Sequence, residues 1–306
     1  MRLPISEGEI TMKIFVTGAT GFIGSAVVSE LIGAGHQVIG LTRSDAGAEA
    51  LRAVGAEAHY GSLEDLESLK IGAAKSDGVI HCAFNHDFSK FAENCEMDKQ
   101  AIEAIGSVLA GSDRPLIVSA GIGILSPGNV ATEDMDPPAN SPMPRVSEEA
   151  AFAQMAKGVN VSVVRLPQVH DPMKQGLVTF LIAQAREKGV FAYVGEGKNR
   201  WSAAHVSDVA RLYRLALEKH ETGSKYHAVG EEGVSMREIA EVIGRCMKIP
   251  VKSITQEEAP AHFGWLAMFA GLDMPASSAK TQKLLGWKPT GPGLIADLEK
   301  MDYTKA

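Results

Sequence analysis

The sequence has few of the features that stabilise small secreted proteins or anchor proteins in membranes. Its three cysteines, Cys82, Cys95 and Cys246, have the spacing of neither a disulfide framework nor a metal site. No apolar run approaches the roughly 20 residues that cross a bilayer. Residues 1–11 lack the basic start and apolar core of a signal peptide and are predicted to be a flexible extension. These absences predict a cytoplasmic protein without a bound metal.

Positive charge is also scarce. Lysine and arginine number 30 against 37 acidic residues, a net charge of -7, and no basic patch stands out. The sequence therefore predicts neither a nucleic-acid nor a membrane partner. An apolar content of 45% and a charged content of 22% are typical of globular proteins rather than of disordered chains. We expect one compact two-lobed unit that binds a small-molecule substrate.

A short apolar run that breaks into three glycines organises the chain. Residues 13–24 read KIFVTGATGFIG, which predicts a buried strand, a tight turn and the start of a helix. Gly18 permits the turn, Gly21 lets the backbone approach a pyrophosphate, and Gly24 lets the helix pack closely on the strand. A purely structural turn is the alternative. The residues of this turn that are predicted to bind a dinucleotide are Gly18, Thr20, Gly21, Phe22, Ile23 and Gly24.

Strand-like and helical segments alternate after this turn. The alternation predicts an α/β fold, a Rossmann-type doubly wound parallel sheet with a ligand crevice at the carboxyl ends of its strands. Residues 12–170 are predicted to form this NAD(P)-binding domain, with later segments around 200–230 returning to it. The less regular residues 171–306 are predicted to form mainly a smaller C-terminal substrate lobe.

The end of the second predicted strand indicates which cofactor is bound. In this fold an acidic side chain there bonds the 2′-hydroxyl of NAD, whereas an arginine accommodates the 2′-phosphate of NADP. Arg43 occupies the position and favours NADP. The nearby Asp45 keeps NAD open, and a solvated surface arginine is the alternative for Arg43. The other predicted cofactor contacts follow the third and fourth strands and are Ser62, Leu63, Ala83 and Phe84.

Polar residues at strand ends are the candidates for catalysis. His86 and Asp87 follow the fourth strand and suit acid, base or substrate contacts, although a helix cap by Asn85 or Asp87 explains them equally well. Ser119 ends the fifth strand. The Pro-rich loop 127–144 is long enough to cover the nicotinamide end of the crevice.

Three further positions have structural interpretations. His81 lies within an apolar strand and is predicted to be a hydrogen-bonded core histidine. Ser207 or Asp208 is predicted to cap the helix that follows. The apolar stretch 263–272 is predicted to be core, with a pocket wall or an interface as alternatives.

Taken together, these residues resemble the short-chain dehydrogenase/reductase superfamily, in its extended NAD-dependent epimerase/dehydratase-like branch. The resemblance covers residues 12–298 and implies a Rossmann domain, a substrate lobe, a nicotinamide cofactor and often a homodimer. The motifs that carry it are TGATGFIG at 17–24, Ser62-Leu63, the strand end at Ser119, VVRLP at 163–167, HVSDVA at 205–210 and LGWKP at 285–289.

The chain departs from this family where the family performs its chemistry. The resemblance implies a Tyr-x-x-x-Lys pair, yet none of the five tyrosines has a lysine four residues later. Counting back from Arg165 places the missing pair near Ser141 to Arg145. Ser119 is followed by Ala120-Gly121 rather than by a second serine. The chain is therefore similar to atypical members of the superfamily.

The leading interpretation is an NADPH-dependent reductase of a small carbonyl compound. Ser119 is the first candidate for a hydrogen bond to the substrate oxygen, followed by His86, Ser141 and Arg145. Because a serine without a nearby base is a poor proton donor, water or His86 would complete the proton relay. Two alternatives stay open: a catalytically inactive NAD(P)-binding sensor or regulatory protein, and an epimerase or dehydratase that retains its NAD(P).

Overall fold

Short apolar strands and the helices between them build the first half of the molecule. The computed structural model describes residues 11–123, 125–126, 128–138 and 144–304. The strands of this half are β1 (Lys13–Thr17), β2 (Gln37–Thr42), β3 (Glu57–Tyr60), β4 (Gly78–His81), β5 (Ser112–Gly121) and β6 (Val159–Leu166). The helices are α1 (Phe22–Gly33), α2 (Asp45–Ala53), α3 (Leu66–Ala74), α4 (Phe91–Leu109) and α5 (Ser147–Ala153).

Most of the remaining elements form the second lobe. The strands are β7 (Gln168–His170), β8 (Phe191–Val194), β9 (Arg200–His205), β10 (Lys225–His227), β11 (Glu231–Ser235) and β12 (Val251–Ile254). The helices are α6 (Leu177–Lys188), α7 (Val206–Lys219), α8 (Met236–Met247), α9 (Ala259–Phe263), α10 (Ala267–Ala270), α11 (Ala279–Leu285) and α12 (Leu294–Lys300). The exceptions are α7, β10 and the end of α11, which pack against the first lobe.

The described strands of the first lobe, joined by β10, form one parallel sheet. Its order is β10-β6-β5-β4-β1-β2-β3, and every pairing is parallel. The chain order reverses at β1, where Ile14 is paired with Val38 on one side and with Gly78 on the other. A reversal of this kind opens a crevice at the carboxyl ends of the strands. The predicted Rossmann-type doubly wound fold is confirmed.

Both faces of the sheet are buried, as expected for parallel strands covered by helices. Along β1, Ile14 and Val16 pack into a core shared with α1 and α7, while Phe15 packs on the opposite face with α3 and α4. The second lobe has its own core around Trp201, α6 and α8. Its strands form two small sheets, β11-β9-β7 and β12-β8. The crevice therefore lies between two separate cores.

The start of α7 differs from the sequence prediction. The helix begins at Val206, and its N-cap is His205, whose ring Nδ1 accepts the Ser207 backbone N–H at 3.2 Å. Asp208 is buried and accepts the backbone N–H of Gly291 at 2.7 Å. The prediction of Ser207 or Asp208 as the cap is wrong. The acceptor is instead the imidazole nitrogen of His205, the residue just before the helix. No helix in the described part of the chain is long and apolar enough to cross a bilayer.

Candidate functional site

A cavity of about 790 Å³ opens at the carboxyl ends of the central strands. It is bordered by the turns after β1, β2, β4 and β5 and by residues of the second lobe. Every residue predicted to bind the cofactor lines it. These residues are Gly18, Thr20, Gly21, Phe22, Ile23, Gly24, Arg43, Ser62, Leu63, Ala83 and Phe84.

The turn between β1 and α1 has the geometry of a phosphate cradle. Gly18 has a φ of +66°, and a Cβ there would lie 2.8 Å from the Ala83 nitrogen. A Cβ on Gly24 would lie 2.0 Å from the Gly18 carbonyl oxygen. Gly21 is the N-cap of α1 and supplies no side-chain acceptor, which leaves the amides of the first turn open to a ligand. Side chains at Gly18, Gly21 and Gly24 would close this turn. The three glycines leave it open, which fits a pyrophosphate bound against the helix N-terminus.

Arg43 and Asp45 lie on different sides of the turn after β2. The exposed Arg43 lines the cavity beside Glu64. A hydrogen bond from Ser62 lowers the pKa of Glu64, and the charge of Arg43 contributes to the shift. Asp45 instead accepts a hydrogen bond from Tyr60 Oη at 2.8 Å and is not part of the described lining. Of the two groups that distinguish NADP from NAD, only Arg43 faces the cavity within the described lining.

Arg145 is fixed where the cavity meets the end of β5, on the other side of β1 from Arg43. Its guanidinium carbon lies 4.2 Å from the centre of the Phe84 ring. Its Nε donates to Ser147 Oγ at 3.0 Å, and its Nη2 donates to the Ser119 carbonyl oxygen at 3.3 Å. One face of the guanidinium is thus packed and two nitrogens are held, which leaves Nη1 as the donor without an acceptor among the described residues.

A buried carboxylate anchors this arginine. Asp98 accepts from Ser147 Oγ at 2.5 Å and lies 3.1 Å from Nε2 of His81, whose Nδ1 contacts Thr17 Oγ1 at 2.9 Å. Burial alone would raise the pKa of Asp98, but the hydrogen bonds from His81 and Ser147 and the charge of Arg145 lower it on balance. Asp98 is therefore ionised and holds Arg145 through Ser147. His81 is confirmed as a hydrogen-bonded core histidine.

Asp98 and Ser147 are missed by the sequence prediction. A signal for Asp98 exists, since an acidic residue on the apolar face of a helix needs a buried partner. The partners come from β4 and from the start of α5, and nothing in the sequence spacing brings these elements together.

Ser119 lies near the end of β5, as predicted, but its side chain does not reach the cavity. Its side chain is buried, and it is not part of the described cavity lining. The hydroxyl donates to the His81 carbonyl oxygen at 2.7 Å and therefore accepts from Tyr213 Oη at 2.6 Å. Beside it, burial raises the pKa of the Cys82 thiol to about 12 and that of the Tyr213 phenol well above its usual value. The Ser119 hydroxyl thus uses its proton and an acceptor site inside the protein. The predicted hydrogen bond from Ser119 to the substrate oxygen is not supported by this geometry.

His86 and Asp87 have separate roles in the loop after β4. His86 lies at the exposed rim of the cavity, edge-on to Phe84 with 5.2 Å between ring centres. Partial burial and the charge of Arg145 lower the pKa of His86, so the neutral ring dominates near pH 7. The Asp87 carboxylate accepts the Ser89 backbone N–H at 3.0 Å and caps the short turn that precedes α4. The capping alternative holds for Asp87, while His86 stays a candidate. Ser141 lies outside the described residues.

Lys174 is a further charged residue of the cavity that the sequence does not reveal. Its ammonium nitrogen lies 5.8 Å from the centre of the Phe22 ring, next to the first turn of α1. It belongs to an irregular segment between β7 and α6, where no periodicity predicts a direction for the side chain. Lys174 adds positive charge at the phosphate-binding end.

Aromatic side chains form much of the wall beyond Arg145. Phe88, Phe180 and Phe269 line the cavity together with Phe84 and Phe91. Within the apolar stretch 263–272, Phe263 and Leu266 are buried in the core of the second lobe, whereas Phe269 is both buried and part of the cavity wall. The predicted core assignment is confirmed for Phe263 and Leu266, and the pocket-wall alternative holds at Phe269.

Comparisons with known proteins agree with this geometry. The chain is 50% identical over 295 residues to the uncharacterised protein C2A9.02 of Schizosaccharomyces pombe, which covers 95% of this chain and 100% of the relative. It is 26% identical over 284 residues to 4-hydroxy-2-methyl-3-oxo-4-farnesyl-3,4-dihydroquinoline-1-oxide ketoreductase of Stigmatella aurantiaca, covering 87% of this chain and 84% of that protein.

Solved structures share the fold. The dTDP-glucose 4,6-dehydratase DesIV from Streptomyces venezuelae, solved with NAD and TYD bound, superposes with a TM-score of 0.75 at 19% identity, over 94% of this chain and 96% of that one. The model of the NAD dependent epimerase/dehydratase family matches residues 14–230. With its glycine turn, its reversed sheet and this match over most of its length, the chain belongs to the NAD-dependent epimerase/dehydratase family.

Proposed function

We propose that the protein is an NADPH-dependent reductase of a small carbonyl compound. The observation that carries the proposal is one cavity lined by the glycine turn, by Arg43 and, on the other side of β1 from Arg43, by a fixed Arg145. The Stigmatella aurantiaca relative is named a ketoreductase, which supports carbonyl reduction within this part of the family.

The preference for NADPH follows from the two groups at the end of β2. A guanidinium binds a phosphate through charge-assisted hydrogen bonds, whereas a free carboxylate at this position would repel it. Arg43 lines the cavity, and Asp45 is occupied by Tyr60. The exposed Arg43 therefore supports recognition of the 2′-phosphate.

Bound NADPH would supply a hydride, with both electrons, to the carbonyl carbon. The carbonyl π electrons then move to oxygen, where Arg145 Nη1–H donates a hydrogen bond to the developing negative charge. Arg145 acts in this step as a hydrogen-bond donor and a positive charge, not as the source of the proton. Ser147 and Asp98 keep Arg145 in place, so little reorganisation is needed during the reaction.

The remaining step is protonation of the alkoxide oxygen. His86 is a described titratable side chain at the rim of the cavity, and its imidazole can both accept and donate a proton. We assign it the delivery of one proton from bulk water to the alkoxide. The balance is then one hydride to carbon and one proton to oxygen, which yields an alcohol.

A cofactor-binding sensor without turnover is the second candidate function. The observation that favours it is the absence of a Tyr-x-x-x-Lys pair anywhere in the sequence. A sensor needs the phosphate cradle and Arg43 but makes no use of a guanidinium held over Phe84.

The test is a titration of the purified protein with NADPH and NADH, followed by a carbonyl panel in which loss of NADPH absorbance is measured. Tighter binding of NADPH with oxidation of the cofactor supports the reductase. Tight binding without oxidation by any carbonyl supports the sensor, and equal affinities for the two cofactors contradict the role of Arg43.

A further inference from the structure

We propose that the substrate end of the cavity selects a flat aromatic aldehyde or ketone and excludes a nucleotide-linked sugar. The inference rests on the proposed reductase function and names its substrate class. It is carried by the aromatic walls, by the position of the charged groups and by the size of the cavity.

The walls consist of phenyl rings from separate elements of both lobes. Phe84 follows β4, Phe91 begins α4, Phe180 lies in α6 and Phe269 lies in α10. Side chains that share one helical stripe are usually ordinary core, but here three separate stretches of the chain, at 84–91, 180 and 269, direct rings into the same cavity. The fold thereby assembles an aromatic enclosure that no single amphipathic pattern accounts for.

The rings hold one another in fixed orientations. Phe88 stacks on Trp265 with 4.0 Å between centres and an interplanar angle of 11°. Phe180 meets Trp265 edge-on at 5.2 Å, and Phe91 lies 5.3 Å from Phe88. Offset and edge-to-face arrangements are the ones that aromatic pairs prefer. Because these rings already stack on one another, a planar ligand would extend the same packing.

The charged groups of the cavity do not suit a second diphosphate. Lys174 lies beside Phe22, and its charge also reaches His86 at the rim. Glu148 is bound by Nε and Nη2 of Arg165, at 2.8 Å and 2.5 Å. Of the described phenyl rings at the aromatic end, Phe84 has a cation packed on it, which is Arg145. A diphosphate moved from water against phenyl walls with one cation would lose more hydration than it regains.

The volume points in the same direction. Sites for one drug-sized ligand usually measure about 300–1,000 Å³. The whole cavity measures about 790 Å³, and the cofactor must occupy much of it. The space left for the substrate is therefore smaller than the whole cavity and suits a small ring system.

Arg145 and the rings together set the orientation of the substrate. The guanidinium covers Phe84, which is also 6.1 Å from Phe91 and so joins the polar anchor to the aromatic walls. A carbonyl oxygen bound to Arg145 places its attached ring toward Phe88, Phe180 and Phe269. An aryl aldehyde or aryl ketone has this arrangement of a polar atom directly on a flat ring.

The first test compares matched substrates with the NADPH-loaded protein. We expect kcat/KM for 2-naphthaldehyde to exceed that for its saturated analogue, decahydronaphthalene-2-carbaldehyde, about fivefold to tenfold, the range expected of aromatic pairing beyond area burial. Equal values for the two aldehydes, or faster turnover of UDP-glucose, would overturn the proposal.

A binding experiment separates this inference from the reductase assignment. Calorimetry with the NADPH-loaded protein would use 2-naphthamide, which keeps the ring and the carbonyl oxygen but resists reduction. Binding of 2-naphthamide without turnover of any aldehyde would leave the aromatic site intact and refute the reductase. Failure of 2-naphthamide to bind while UDP-glucose binds would refute the aromatic site itself.

Variants then localise the effect. Phe180→Leu and Phe269→Leu should each reduce the preference for 2-naphthaldehyde over its saturated analogue at least threefold and leave the Kd for NADPH unchanged. Phe152→Leu is the matched control, since Phe152 is a partly buried ring of α5 outside the described lining. An unchanged preference in both cavity variants would show that the rings only stabilise the fold.

Discussion

Two arginines line the cavity on opposite sides of β1, and their surroundings differ in a way that matches their proposed roles. Arg43 is exposed and lines the cavity beside Glu64, where a phosphate can reach it from solvent. Arg145 is half-buried and fixed by Ser147, which in turn is held by the ionised Asp98. An exposed guanidinium suits binding of a cofactor, and a preorganised one suits stabilisation of a developing charge.

Replacing Arg43 tests the choice of cofactor. Arg43→Ala should weaken binding of NADPH about 10- to 100-fold, as expected for loss of a hydrogen bond between charged groups worth about 1.5–3 kcal/mol. Binding of NADH should change much less, because NADH has no 2′-phosphate. Lys219→Ala removes an exposed positive charge of α7 outside the described lining and serves as the control for net charge. Equal losses for both cofactors would contradict the assignment.

Replacing Ser147 tests whether Arg145 depends on its support. Ser147→Ala should lower kcat about tenfold while the Kd for NADPH stays constant, and Ser147→Thr should restore most of the rate because it keeps the hydroxyl. Arg145→Lys should lower kcat about 100-fold or more, in the range known for loss of one donor to a developing oxyanion. A variant Ser147→Ala with full kcat would show that the Asp98 anchor is not needed.

Replacing Ser119 should affect stability rather than turnover. Ser119→Ala should leave kcat unchanged and reduce the free energy of unfolding by about 1–3 kcal/mol, since the buried Tyr213 hydroxyl loses its acceptor. Chemical denaturation and a turnover assay on the same preparation measure both effects. A selective loss of turnover with unchanged stability would return Ser119 to the reaction.

At the scale of the elements, sequence patterns predict the helices and strands themselves much better than they predict the contacts between them. The strand, turn and helix start predicted for residues 13–24 are present as β1 and the start of α1, and Ser235 and Glu238, three residues apart, cap α8 as a reciprocal pair. These features depend on residues close in sequence. The prediction of the α7 cap fails because histidine is not among the usual N-cap residues. The ring nitrogen of His205 nevertheless accepts the same kind of hydrogen bond.

In the candidate site, too, local features can be predicted from the sequence and contacts between distant segments cannot. The glycine turn and Arg43 are predictable because each is read from one strand end and its neighbours. The direction of Ser119 is not, since the serine lies at the end of β5, where successive side chains point to opposite faces. The anchor of Arg145 joins α4 to the start of α5, which are distant in sequence, and sequence patterns contain no information about that contact.

A buried histidine joins β10 to β6 and should make the stability of the protein depend on pH. Arg165 Nη1 donates to Nε2 of His227 at 3.1 Å, while His227 Nδ1 donates to the Ser277 carbonyl oxygen at 2.8 Å. Both ring nitrogens are therefore used by a neutral imidazole. Burial, aided by the charge of Arg165, lowers the pKa of His227 to about 4.

The sign of the effect follows from this lowered pKa. The unfolded chain binds a proton on His227 near pH 6.5, whereas the folded protein does not, so stability is lost as the pH falls from 6.5 toward 4. The loss should reach about 3 kcal/mol at pH 4. Denaturation of wild type and His227→Gln across this range should show a difference in unfolding free energy that shrinks on acidification. Parallel curves would contradict the role of His227.

At the scale of the whole molecule, the two lobes divide the work. The Rossmann sheet supplies the phosphate cradle, Arg43 and the Asp98 anchor, while α6 and α10 of the second lobe supply rings to the other end of the cavity. Family membership accounts for the cofactor end. The aromatic end and the fixed arginine are the features from which a carbonyl reductase is inferred.

The central claim is net reduction, and stoichiometry tests it most directly. Purified protein would be incubated with equal amounts of NADPH and an aryl aldehyde, and NADP⁺ and the alcohol would both be quantified. The account predicts one alcohol formed for each NADPH oxidised, with Arg145→Lys slowing both equally. Recovery of the NADPH unchanged beside unreacted aldehyde, although the cofactor binds tightly, would contradict it.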